Sequence, residues 1–114
     1  MSQSIIDTNA FAEMKQLMED SFKDVIEMSV QNLPQQLDGI KSAIENQDVD
    51  SLYNISHKMK STCGSIGAVA LAEKAEAIEL ISRKGSAQIP DQMLNELSDT
   101  TSQVLSFLKN ELND

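Results

Sequence analysis

The chain has 114 residues, which sets one domain as the default, and it is 40% hydrophobic but only 4% aromatic. A net charge of -9 repels a phosphate backbone and argues against nucleic-acid binding. The single cysteine, Cys63, rules out an internal disulfide, and no apolar run approaches the ~20 residues of a membrane span.

Leu, Ile, Ala and Met dominate the apolar set, which favours helix over sheet, and no stretch alternates as a strand would. A first short helix is predicted from about Asn9 to Met18, capped by Asp7 or Thr8, with Phe11, Met14 and Met18 at helical spacing. Ser21-Phe22-Lys23-Asp24 then fits a capping box for a second helix. Its apolar residues recur at Phe22, Ile26, Leu33, Leu37, Ile40 and Ile44, with Ser29 in the remaining position. Pro34 interrupts the backbone donors inside this run, but the unbroken register predicts one long kinked helix.

Asp48 suits the N-cap of a third helix whose stripe is Leu52, Ile55, Met59, Cys63 and Ile66, with Gly67 as its stop. Leu71, Ala75, Ile78 and Ile81 form the inner face of a fourth, which Arg83-Lys84-Gly85 terminates. Pro90 suits the first turn of a last helix marked by Leu94, Leu97, Val104, Leu108 and Leu112. The expected fold is therefore all-α: a single domain over residues 1–114, an antiparallel four-helix bundle with an additional short N-terminal helix across one end.

The chain holds one histidine, His57. At ~100° per residue, His57 lies roughly 150° from the stripe through Met59 and Cys63, so it faces solvent. Tyr53, Lys60, Ser61 and Gly64 share its face. A nucleophilic histidine needs an accessible, unprotonated ring nitrogen, and a cation one turn on at Lys60 suits an attached phosphoryl group. Gly64 costs ~1 kcal/mol against Ala in a helix, yet leaves a bare surface that another backbone can approach. Each feature also has a plain reading: a solvated histidine, a surface lysine, a glycine at a fraying end. Spacing alone leaves both readings open.

The stretch His57-Lys58-Met59-Lys60-Ser61-Thr62-Cys63-Gly64-Ser65-Ile66-Gly67-Ala68 resembles the signature of histidine phosphotransfer (HPt) domains. That signature has a hydrophobic residue two after the histidine, a lysine three after, small residues, then Gly-Ala at the turn. The similarity continues through Leu71 to Ile78-Glu79, and Asp48 matches the usual start of this helix. Ser61 departs mildly, since many members have Gly there.

The resemblance implies His57 as phosphoacceptor through Nε2, Lys60 beside the phosphoryl group, and Gly64 keeping the docking surface clear, with Tyr53 and Ser61 around it. Glu79 would accept a hydrogen bond from the other ring nitrogen and fix its tautomer. By spacing, Glu79 sits on the shoulder of its helix's stripe, where an ordinary solvated charge is an equal alternative. The resemblance further implies that the partners are receiver domains of a hybrid sensor kinase and a response regulator. They would supply the aspartate and Mg²⁺, while the chain itself carries no cofactor and no kinase activity.

Other chemistry finds little support. The six methionines read as core, Cys63 as inert packing, and Asp48 and Asp50 as helix caps. One His and one Cys on opposite faces cannot form a zinc site, and no Gly-rich nucleotide loop occurs. Met1-Ser2-Gln3-Ser4 lacks the features of a signal peptide, so the expected setting is the cytoplasm, with no membrane association. Two rivals stand beside the carrier reading. A sensor-kinase dimerisation pair usually has an acidic residue where Lys58 follows the histidine; the other rival is a helical adaptor with an incidental histidine. The carrier reading expects a monomer, each stripe being satisfied within one bundle.

Overall fold

A computed structural model describes residues 6–113. Five helices follow one another: α1 Thr8–Met18, α2 Asp20–Glu45, α3 Val49–Ile66, α4 Val69–Arg83 and α5 Asp91–Asn113. No strand occurs among the described residues. α3 packs against α2 and α4, and α5 closes the bundle against both α2 and α4. Connections of two to seven residues lead each helix of the bundle into the next, the up-and-down arrangement that short loops impose. No helix among the described residues is long and apolar enough to cross a membrane.

The helix ends follow local chemistry. The Asp7 carboxylate accepts from the Asn9 and Ala10 amides at 3.1 Å each, so Asp7 is the cap of α1. Asp48 accepts from the Ser51 amide at 3.1 Å and hydroxyl at 2.7 Å, which holds its carboxyl below the usual range. Gly67 ends α3 at φ 70°, a left-handed conformation that glycine adopts without a Cβ clash. Its carbonyl accepts from the Asp7 amide at 2.9 Å, which ties the start of α1 to the α3–α4 turn.

Two expected starts differ. The Ser21 capping box does not form: α2 begins at Asp20, straight after Glu19 at φ 51°, and no side chain caps it. The chain turns sharply between α1 and α2 there, so helix is already under way at Ser21. Pro90 lies just before α5, not in its first turn; its carbonyl accepts from the Met93 and Leu94 amides at 3.0 and 3.2 Å. α2 runs through Pro34 as one helix.

Phe22, Leu33, Ile40, Leu52, Met59, Ile66, Leu71, Ile78, Leu97, Val104 and Leu108 form the buried centre. Leu37, Ile44, Ile55, Ile81, Leu94 and Leu112 pack only partly buried around it. Phe11 anchors α1 by edge-to-face contacts with Phe22 at 4.8 Å and Phe107 at 5.2 Å between ring centroids. The methionines divide: Met59 is buried and Met14 and Met93 partly so, whereas Met18 and Met28 are exposed.

Candidate functional site

The Asp48 cap sets where α3 begins, and the stripe Leu52, Met59, Cys63 and Ile66, all fully buried, fixes how the helix is rotated. Ser56 is buried with them, its hydroxyl donating to the Leu52 carbonyl at 2.7 Å. One position on, the His57 side chain is 54% exposed. Helix α4 presses Leu71, Ala75 and Ile78 into the core, and the next residue, Glu79, is also fully buried, on the side facing α3.

A carboxylate in that position must be paired. Glu79 Oε2 accepts from His57 Nδ1 at 2.6 Å, and Oε1 accepts from Lys60 Nζ at 3.3 Å. The Arg83 guanidinium lies 3.5 Å from Oε2, one turn along α4. Burial opposes ionisation of Glu79. The hydrogen bonds from His57 and Lys60, with the charge on both, outweigh it and hold the carboxyl below the usual carboxylate range. An ionised carboxylate only accepts, so Nδ1 is the protonated nitrogen of His57. In the neutral ring Nε2 then keeps its lone pair on the exposed side, as a nucleophile requires.

The remaining predicted residues surround this pair. Tyr53 stacks on His57, with centroids 6.0 Å apart and planes 14° from parallel. Gly64 is exposed, and a Cβ there would meet nothing within 4 Å. Ser61 is exposed on the same side and lines a shallow groove with Met28 and Thr62 between α2 and α3; it makes no hydrogen bond to His57. Of the two readings of Glu79, the structure takes the one that reaches α3. Sequence reasoning missed Arg83 as part of the constellation, having taken it only as a cation ending α4. Its four-residue spacing from Glu79 was the available signal.

A family model for the Hpt domain matches residues 24–107. The chain belongs to the Hpt family. A phosphotransfer role in a phosphorelay follows from that membership. This Hpt domain also resembles solved structures at the level of the fold. One is histidine-containing phosphotransfer protein B (HptB) from Pseudomonas aeruginosa PAO1, at TM-score 0.90 and 22% identity over 98% of this chain and 97% of that one. Another is the HPT domain from the Hpt sensor hybrid histidine kinase from Shewanella, at TM-score 0.83 and 16% identity over 96% and 94%. A search of curated proteins finds no match. Among the described residues of this Hpt domain, no group of three or more His, Cys, Asp or Glu side chains is placed to hold a metal ion.

Proposed function

We propose that this Hpt domain is a phosphocarrier that takes a phosphoryl group onto His57 Nε2 from the aspartyl phosphate of one receiver domain and passes it to the aspartate of another. The observation that carries this reading is the exposed His57 ring whose Nδ1 is bound at 2.6 Å to the buried Glu79 carboxylate. In the forward step the Nε2 lone pair attacks phosphorus, an N–P bond forms, and the P–O bond to the aspartyl carboxylate breaks. The aspartate leaves as a carboxylate, and the Nδ1 proton stays between the ring and Glu79, whose charge stabilises the positive imidazole.

Lys60 supplies a cation on the exposed side of the site, its own side chain 37% exposed. Gly64 leaves the surface beside His57 open to the partner's backbone. Phosphoryl transfer also needs a metal and a positioned acceptor; the receiver would supply both, with Mg²⁺ bound there. On this reading the chain carries no kinase activity and works in the cytoplasm as a monomer.

The test is incubation with a receiver domain charged by a small radiolabelled phosphodonor in the presence of Mg²⁺. The expected product is an acid-labile, base-stable label on the chain, and a chain that stays unlabelled while the receiver holds its phosphate overturns the reading.

A further inference from the structure

Arg83, near the end of α4, touches both neighbours of His57. Its guanidinium lies 3.5 Å from Glu79 Oε2, the same oxygen that receives His57 Nδ1–H. The guanidinium carbon also stands 5.9 Å from the centroid of the Tyr53 ring, whose other neighbour is the His57 ring stacked at 6.0 Å. Three groups from two helices therefore follow in order: the Arg83 cation, the Tyr53 ring and the His57 ring, with Glu79 closing the circle underneath.

We infer that Arg83 is a positioning residue for His57, acting through Tyr53 and Glu79 and not through contact with the phosphoryl group. This deepens the carrier function and rests on His57 being the phosphoacceptor. An exposed ion pair holds little energy by itself, and the Arg83 side chain is 56% exposed. Its partner changes the case. Glu79 is fully buried, so the direction of its carboxylate is set by the groups that reach it: His57 and Lys60 by hydrogen bonds, and the Arg83 guanidinium as an ion pair at 3.5 Å. Lys60 draws Oε1 toward α3, while Arg83 holds Oε2 from within α4. Between them the carboxylate plane is fixed, and with it the line along which Nδ1–H must point.

The cation over Tyr53 acts on the other degree of freedom. A half-buried aromatic ring clasped by a guanidinium keeps its rotamer. A Tyr53 ring held in place then limits rotation of the imidazole stacked upon it. The bond to Glu79 fixes which nitrogen is protonated; the stack fixes where Nε2 points.

The experiment measures the ¹⁵N and ¹H signals of the single imidazole in the free chain, alongside transfer from a charged receiver. Wild type is expected to show one tautomer, protonated at Nδ1. Arg83→Ala is expected to move both ring-nitrogen shifts toward the average of the two tautomers and to slow transfer about tenfold, with the thermal midpoint unchanged. Arg83→Lys keeps the charge and restores most of the ring signature. Tyr53→Phe keeps the ring and with it the wild-type ring-nitrogen shifts, while Tyr53→Leu moves those shifts as Arg83→Ala does.

Wild-type ring shifts and a wild-type rate in Arg83→Ala overturn the inference and leave a surface ion pair. A slowed rate with unchanged ring shifts also overturns it, because Arg83 then acts on the partner or the phosphoryl group directly. The nitrogen signature needs no phosphodonor. If wild type accepts no label, the carrier function fails, while the role of Arg83 is still decided by the ring shifts.

Discussion

His57 on α3 and Glu79 on α4 are 22 residues apart in the chain, yet Nδ1 and Oε2 meet at 2.6 Å, with the imidazole half in solvent and the carboxylate wholly out of it. The asymmetry divides the work. In the proposed transfer the exposed partner reacts, and the buried one decides which nitrogen carries the proton.

The pair links stability to pH. The Glu79 carboxyl is held below the ordinary glutamate value of 4.5 in the folded chain, so its contribution to stability is fully present above that value. The contribution is lost as pH falls through the lower, folded value. Glu79→Gln is therefore expected to flatten the fall in denaturant midpoint below about pH 4.5 relative to wild type. Glu79→Ala also leaves a cavity, takes the acceptor from His57 and Lys60, and removes the counter-charge beside Arg83. Because those donors reach water, the expected loss at pH 7 is about 1–2 kcal/mol. Urea unfolding at several pH values checks both.

Gly64 separates folding from docking. A Cβ there meets nothing within 4 Å, so Gly64→Ala is expected to raise stability by about 0.5–1 kcal/mol through helix propensity. Gly64→Gln is expected to fold equally well but to slow transfer by covering the approach to His57. Thermal melts and transfer rates on both variants test this; a Gly64→Gln chain that transfers at the wild-type rate removes the docking role.

Cys63 is completely buried on the core stripe of α3, and burial pushes its thiol up to about 12. It is expected to resist thiol reagents in the native chain at pH 8 and to react at once in denaturant. Fast native labelling shows that α3 is rotated from the orientation that exposes His57.

Much of this arrangement is legible in the sequence because helical periodicity is a strong signal. The stripe through Leu52, Met59 and Cys63 places His57 outward before any tertiary contact is known, and Asp48 and Gly67 bracket its helix by local chemistry. What stays hidden arises between helices. Glu79 follows the core residue Ile78, and whether such a carboxylate is solvated or buried depends on what α3 offers it. His57 and Lys60 can be recognised as that offer only once α3 and α4 are packed together. Arg83 is hidden for a related reason: a cation in the last turn of a helix already has a local explanation. The Ser21 capping box fails because the turn at Glu19 starts α2 two residues early, a backbone event with no side-chain signature. Thr100 and Thr101 are buried on α5 where periodicity marks only aliphatic residues; the Thr101 hydroxyl donates to the Leu97 carbonyl at 2.7 Å, which permits its burial.

The most direct test of the central claim is label transfer from a charged receiver to His57→Gln beside wild type. Glutamine keeps a polar side chain on an exposed position, and Glu79 retains Lys60 and Arg83, so the fold is expected to persist with a stability change of about 1 kcal/mol or less. No other histidine exists to substitute. Acid-labile label is expected on wild type and none on the variant, with matching circular dichroism spectra. A His57→Gln chain that gains label at the wild-type rate contradicts the claim.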